Sequence, residues 1–581
     1  MAIYEEKKIG TGTAILLLLL LFLLSYPLWH LGERELMWSE GRFAVTALET
    51  AGFPPVFTAH GQALTDVPPL FLLLTKALTC SGVSAEFALR FFAVLPYFLL
   101  TALVFIVCRR NCGSQAAFAA SAVMFTTVIV FEKLCEGYPA ALTALLLYGG
   151  WMLWIEMGVN RSRWSLAWAC IGLFGALIFY NGGMTGLIYF LVPLAFQRRP
   201  FTIWNKLKRH PGLYVGLLIL LLVILFRTVP QMELTHFQPI RQDVDFSGSD
   251  YLKDILLFPL DTFLRLMPWS LFLWAPFCAA LVAMEENPLF CKFHRILFLV
   301  LLLLIWFNPG SSSRDLLYLM PLIATMLGAH YRILIRRYGH RITHLLTFFA
   351  WGILSCSLAA GVYLWLQSDW KEKLLNGVGD TVHFLIGGAA VRFVIPAQTV
   401  EAWHDAVLEE LNALIFEQPD LLLYRSTLET VVAFILCVAA LFLLRKKSVV
   451  WLPYAMCFTA LALLFWSVLH FHDVQEQPKR QFAMALQEIF REKTDDAPVC
   501  INIKGLYPEG YYAGLRLTYV ETGSVLPSDA ETLYMISAPQ VPWDTGRNWS
   551  KVKELEYRAT RICIYKGQLI RSEDDDDEYE D

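Results

Sequence analysis

Acidic and basic side chains are scarce in this chain, and they collect at the ends of long apolar runs. Glu33, Glu35, Glu40, Arg42, Asp66, Arg90, Glu132, Lys133, Glu136, Arg314 and Asp315 form the most conspicuous set. The first group stands in "ELMWSEGRFAV", just past the opening apolar run. A carboxylate can orient an attacking hydroxyl or take its proton, and an arginine meets a phosphate through two parallel hydrogen bonds. Any one of these charges alone suits an ordinary membrane-interface position. Gathered at one membrane face, the acids and arginines suit transfer of a group from a lipid phosphate. The templates of soluble enzymes do not apply: there is no P-loop, no GxGxxG between strand and helix, no HExxH and no serine-hydrolase elbow. No ligand set has metal-like spacing, so a divalent metal ion stays an open cofactor question rather than a reading of the residues.

These charges need elements to hold them, and the composition says which. Of the 581 residues 56% are hydrophobic and only 17% charged, against about a quarter charged in soluble domains. Apolar runs of membrane-spanning length recur along most of the chain. They predict about thirteen helices, near 12–31, 91–108, 114–131, 138–158, 164–180, 184–197, 212–229, 266–284, 294–308, 316–331, 343–366, 427–444 and 449–469. The first follows Lys7 and Lys8 and no small-x-small cleavage site follows it, so it reads as a retained helix. Basic residues alternate strictly: Lys7 and Lys8, Arg109 and Arg110, Arg161 and Arg163, the cluster 198–209, Arg336 and Arg337, and Arg445 to Lys447 all fall on one side. The positive-inside rule makes that side cytoplasmic, with an inner-membrane location, the N-terminus inside and the C-terminus outside.

The predicted fold class is therefore an all-α polytopic membrane domain, residues 1–469, followed by a small extracytoplasmic α/β domain, residues 470–572, and an acidic tail, 573–581. Large outer segments fall at 32–90, 230–265 and 367–426. Within the first, "PPLFLLLTKALTCSGV" suits a helix lying in the interface. In the C-terminal part "RQFAMALQEIF" has helical apolar spacing, while "PVCINI", "GLRLTYV", "TLYMIS" and "RICIYK" read as strands. Cys500 and Cys563 sit in two of those strands, where an oxidising compartment would allow a disulfide.

Three segments then carry a resemblance. "MWSEGRFAVTALETAGF", "QALTDVPPLFLLLTKAL" and "EFALRFFAVLP" resemble the first outer loop of polytopic GT-C glycosyltransferases. The nearest branch is the lipid A aminoarabinose transferases and their relatives in the dolichyl-phosphate-mannose mannosyltransferase superfamily. There the loop reads D-E-x-R-Y, then E-K-P-P, then an arginine opening the second helix. "KLCEGYPAALTALLLYG" is similar to the segment that places an acid at the start of the fourth helix, here Glu136. "ALIFYNGGMTGLIYFLVPL" is similar to the T-K-G loop and its helix, "LRLMPWSLFLWAP" carries a Pro-Trp, and "SSSRDLLYLMPL" resembles a basic-x-x-x-Tyr-x-x-Pro signature.

The resemblance implies an inverting glycosyltransferase with a polyprenyl-phosphate sugar donor and a lipid or glycan acceptor, and no nucleic acid. Glu40 and Glu136 would be catalytic. Arg42, Arg90, Arg241 and Arg314 would bind the donor phosphate, and Ser39, Asp66, Asn181 and Tyr318 would line the pocket. The departures lie in the same places. Ser39 stands where the family has an aspartate, and Val67 and Asn181 stand where it has lysines. The alternative implied by those losses is a relative that binds a lipid-linked glycan or supports envelope assembly without turnover.

Overall fold

The computed structural model describes most of residues 31–337, without 198–209, 234–247 and some shorter breaks, and most of residues 478–569. The expected spans at 343–366, 427–444 and 449–469, all but the last residue of 12–31, the loop 367–426 and the tail 573–581 lie outside the described residues.

The first outer loop folds into helix α1 (Trp38–Glu49), a two-stranded ribbon β1–β2 (Thr58–Ala59 and Gln62–Ala63) and the apolar helix α2 (Pro69–Thr79). The bundle follows as α3 (Ala85–Cys112), α4 (Ser114–Phe125), the short α5 (Val128–Lys133) and α6 (Ala140–Trp154), which runs on through a π-helical turn at Ile155–Asn160. Next come α7 (Trp164–Ala195), α8 (Pro211–Glu233), α9 (Gly248–Arg265), α10 (Pro288–Trp306) and α11 (Ser313–Leu334). Among the described residues six helices are long and apolar enough to cross a membrane, or seven if one bent pair counts as a single span.

One of those six is a hairpin. Gly183, at φ 63 and ψ −155, breaks α7 in a conformation that L side chains rarely adopt. Beyond it the chain folds back, so that Gly175 faces Leu187 and Phe190 while Gly186 faces Ile178. The two arms correspond to the expected spans 164–180 and 184–197.

Two other expectations need correction. The span expected at 114–131 is broken, because Thr127 is extended (φ −94, ψ 138) before α5 begins, and its hydroxyl is spent on the Val123 carbonyl at 2.7 Å. The span expected at 266–284 is 3₁₀ turns at Trp269–Phe272 and Ala275–Phe277 and a four-residue helix at Ala279–Val282. The segment turns 99° from the end of α9. Pro276 has no amide hydrogen to give and disfavours a helical residue before it. The bundle's centre is packed by Tyr97, Trp151, Trp154, Phe190, Phe293 and Leu301, all fully buried.

The C-terminal part carries helix α12 (Pro478–Arg491), α13 (Tyr507–Ala513) and a five-stranded sheet in the order β4-β3-β5-β7-β6. Its strands are β3 (Val499–Ile501), β4 (Leu517–Tyr519), β5 (Thr532–Ser537), β6 (Arg547–Tyr557) and β7 (Thr560–Leu569). β3 pairs parallel with β4 and β5, while β7 is antiparallel to β5 and β6. Cys500 and Cys563 are both free and lie on β3 and β7 with β5 between them. Two strand spacings, about 9.6 Å, exceed the reach of a disulfide.

This domain sits on the first loop. A Cβ on Gly41 would fall 2.5–2.6 Å from three Pro508 atoms, so α1 and α13 touch only because residue 41 is glycine. Gly41→Val should cost about 1–3 kcal/mol by overpacking. The expected readout is a lowered unfolding temperature and faster proteolysis of the cap domain than in wild type.

Candidate functional site

The loop acids are bound into the architecture. Glu40 is fully buried and lies at the third position of α1, where its carboxylate accepts the Met37 amide at 2.8 Å. It also accepts from Arg90 Nε at 3.1 Å, Arg90 Nη2 at 2.9 Å and the Gly137 amide at 2.7 Å. Four donors occupy the roughly four lone-pair directions of a carboxylate. Arg90 is equally engaged, since Nη1 donates to the Leu31 carbonyl at 2.7 Å and Nη2 to that of Glu35 at 2.8 Å. Glu40 and Arg90 were expected as a catalytic acid and a phosphate ligand. The structure makes them each other's partners, because two charges buried this deeply must pair.

The neighbouring acids follow suit. Glu35 receives the Lys479 and Arg480 amides at 3.4 and 2.9 Å, capping the first turn of α12 from across the domain boundary. Lys479 Nζ donates to the Leu36 carbonyl at 2.7 Å, and the Leu36 amide donates to Tyr512 Oη at 2.8 Å. Glu86 pairs with Arg480 at 3.2 Å. Glu49 holds the ribbon turn through Thr58 Oγ1 and the amides of His60 and Gly61. His60 stacks on Tyr507 of the cap, ring centroids 4.9 Å apart, and burial pushes its pKa down to about 4.

A second cluster stands at the rim beside Glu40. Glu136, on the turn before α6, accepts from Lys133 Nζ at 3.1 Å and from Arg314 Nε at 2.7 Å. Arg314 belongs to the 3₁₀ turn Ser313–Tyr318 that opens α11, and its guanidinium lies 3.7 Å from the centre of the Tyr138 ring. The Arg314 side chain keeps 24% of its surface exposed, while those of Lys133 and Glu136 are nearly covered. Tyr318 meets Tyr189 edge-on at 6.0 Å, and Tyr189 Oη accepts from Asn308 at 2.8 Å. Asp315, next to Arg314 in the chain, brings a second carboxylate to the cluster, so cations and acids stand side by side at the rim.

Glu40 accepts the Gly137 amide next to Glu136, so the Glu40–Arg90 pair and the Glu136–Arg314 pair meet at that turn. Ser39 and Arg42 flank Glu40 on α1, both half-buried. Asn181 is buried at the α7 hairpin. Its Oδ1 accepts the Phe71 amide at 3.2 Å, capping α2, and its Nδ2 donates to Thr143 Oγ1 at 3.0 Å. Asp66 and Arg241 lie outside the described residues.

Sequence reasoning missed Arg227, near the end of α8. Its Nη1 donates to the Phe179 carbonyl and, at 3.0 Å, to that of Tyr180, and Nη2 reaches the Val67 carbonyl at 3.4 Å. An arginine inside an apolar span was the signal that could have found it. Lys133, treated earlier as one rim charge among several, is the other addition. Among the described residues no three His, Cys, Asp or Glu side chains are grouped to hold a metal ion. Glu40 and Glu136 are spent on cationic side chains, a poor fit to a metal centre.

The bent bundle, the loop clamped by buried ion pairs and the α/β cap define a mostly helical fold with several helices of membrane-spanning length. The fold resembles that of the solved structure of ArnT from Cupriavidus metallidurans, with TM-score 0.63 for the form bound to undecaprenyl phosphate and 0.62 for the apo form. Identity is only 15% and 16%, yet the match covers 96% of this chain and 98% of ArnT in both cases. The Archaeoglobus fulgidus oligosaccharyltransferase is a far weaker likeness, with TM-score 0.39 and 11% identity over 90% of this chain and 68% of that one. No protein-family model matches the sequence, and no curated protein sequence matches it.

Arg90→Leu should destabilise the fold by about 3–5 kcal/mol, since it strands a buried Glu40 carboxylate. Chemical denaturation should show this loss, largely relieved in the double variant Glu40→Gln with Arg90→Leu. His60 gives a pH signature. Its imidazole titrates near 6.5 when unfolded and near 4 when folded, so its contribution is complete above pH 6.5 and falls as pH drops toward 4. The loss reaches about 3 kcal/mol and then levels. Unfolding temperatures measured from pH 7 to 4 should fall more steeply in wild type than in His60→Asn.

Proposed function

We propose that this protein is an inverting membrane glycosyltransferase that moves a sugar from a polyprenyl-phosphate donor to an extracytoplasmic lipid or glycan acceptor. The observation that carries the proposal is the rim cluster itself, in which the carboxylate of Glu136 is held between the cations of Lys133 and Arg314. The ArnT-like fold and the charge alternation along the helices support an inner-membrane site on the extracytoplasmic side, with the N-terminus cytoplasmic and the C-terminus outside.

In this reading the donor phosphate engages Arg314 and Lys133, which frees a Glu136 oxygen. The acceptor hydroxyl attacks the anomeric carbon and forms the new C–O bond. The bond from that carbon to the phosphate oxygen breaks on the opposite face, and Glu136 accepts the hydroxyl proton. The leaving polyprenyl phosphate carries its charge away against the two cations. The protein's share is positioning and charge stabilisation. Tyr138 and Tyr318 wall the cluster, while Glu40 and Arg90 act as positioning residues by fixing the loop against Gly137.

A second reading, a relative that binds lipid-linked glycan without turnover, draws support from Asn181. It stands where the resemblance expects a lysine, and its amide is spent on capping α2. Incubating the purified protein with a panel of polyprenyl-phosphate sugars separates the two. The glycosyltransferase reading predicts consumption of at least one donor, reduced about 100-fold or more in Glu136→Gln and about 10- to 100-fold in Arg314→Ala. Retained lipid binding with no donor consumed in wild type would select the binding-only reading.

A further inference from the structure

Arg90, Arg265, Arg295 and Arg314 each hold a carboxylate, from Glu40, Asp261, Glu285 and Glu136 respectively. Arg227 differs. It is half-buried near the end of an apolar span, and among the described residues its acceptors are carbonyl oxygens only: those of Phe179, Tyr180 and Val67. A guanidinium inside a span without a counter-charge is costly, and such residues mark the path of a charged ligand.

The hydrogen-bond census shows which part of the guanidinium is unused. Arg90 grips Glu40 through the edge formed by Nε and Nη2, the two-pronged geometry that fits carboxylate and phosphate alike. In Arg227 the Nη1 end is spent on the α7 hairpin, whereas Nε has no acceptor among the described residues and Nη2 has only the long 3.4 Å contact to Val67. Among the described residues, the edge that binds an anion in Arg90 meets no anion in Arg227. The side chain is also held in place, because its carbonyl contacts cap the first arm of α7 and Phe179 lies against it at 5.4 Å.

Its position joins it to the rim cluster. Val67 directly precedes α2, whose first turn is capped by Asn181, and Asn181 is bonded to Thr143 in the first turns of α6. From α2 an aromatic path runs through Phe71, Phe43 and Tyr138, at 6.0 and 5.3 Å, to Arg314. Arg227 also reaches the neighbourhood of both sequence departures: it touches the backbone of Val67 and lies beside the turn that begins at Asn181.

We propose that Arg227 binds the phosphate of a polyprenyl phosphate through its Nε/Nη2 edge and supplies from α8 the positive charge absent at positions 67 and 181. This rests on the reading of the rim as a lipid-phosphate site. The test uses the full-length protein in detergent, titrated with undecaprenyl phosphate, undecaprenol or inorganic phosphate and followed by tryptophan fluorescence. Wild type should prefer undecaprenyl phosphate to undecaprenol at least tenfold. Arg227→Gln keeps an amide for the α7 carbonyls and loses the charge, so its preference should fall about 10- to 100-fold at unchanged unfolding temperature. Arg227→Lys should fall between the two.

Wild-type preference in Arg227→Gln overturns the proposal. Should that variant not fold, Arg227→Lys decides, because it lacks the flat edge, and wild-type affinity there has the same meaning. Inorganic phosphate binding as tightly as the lipid would overturn the lipid assignment. No preference in wild type would instead overturn the lipid-phosphate reading of the rim, and this inference with it.

Discussion

Everything at the site end of the molecule depends on one buried ion pair. Glu40 and Arg90 have lost nearly all contact with water, and each is surrounded by partners that compensate the loss: two amides on the carboxylate and two carbonyls on the guanidinium. A pair like this adds little net stability, since desolvation consumes most of its Coulombic attraction. Its value is in specifying geometry. The donors and acceptors come from the segment before α1, from α1 itself, from α3 and from the turn before α6, so only one arrangement of those pieces satisfies both charges. The same turn that gives the Gly137 amide to Glu40 carries Glu136.

A division of labour among the acids follows. Glu35, Glu40, Glu49 and Glu86 are fasteners: they hold the cap, α3, the ribbon and Arg480. Glu136 differs from these in standing between two cations at the rim, Lys133 and Arg314. An acid-rich loop is thus compatible with an anion-seeking site, because its buried carboxylates are consumed locally by amides and cations.

Much of the fold was legible because the membrane imposes a simple grammar. Long apolar runs located most of the described spans. The hairpin at 181–183 could be placed from its glycines. What the sequence could not show was partnership. Glu40 and Arg90 have the residue types of a catalytic acid and a phosphate ligand, and nothing in their spacing says that they face each other. Glu35 looks like one more rim charge until α12 arrives beside it, some 445 residues later in the chain. The broken segment at 266–284 was misread because hydropathy does not register where an amide hydrogen is missing, as at Pro276. Strand β6, rich in lysine and glutamate, was invisible to patterns of apolar alternation. Arg227 was passed over because it was weighed as a charge within a hydrophobic run rather than by what lay next to it.

The contact of Glu35 with the start of α12 also has a bearing on biogenesis. The helix that this carboxylate caps begins at Pro478, so the first loop cannot reach its final form until the ribosome has passed that point. The Lys479 and Arg480 amides that Glu35 accepts are made only after the described membrane helices. Closure of the site end is thereby coupled to completion of the chain: a nascent or truncated product that stops short of α12 has the helices of the membrane domain but lacks the clasp that finishes its outermost layer.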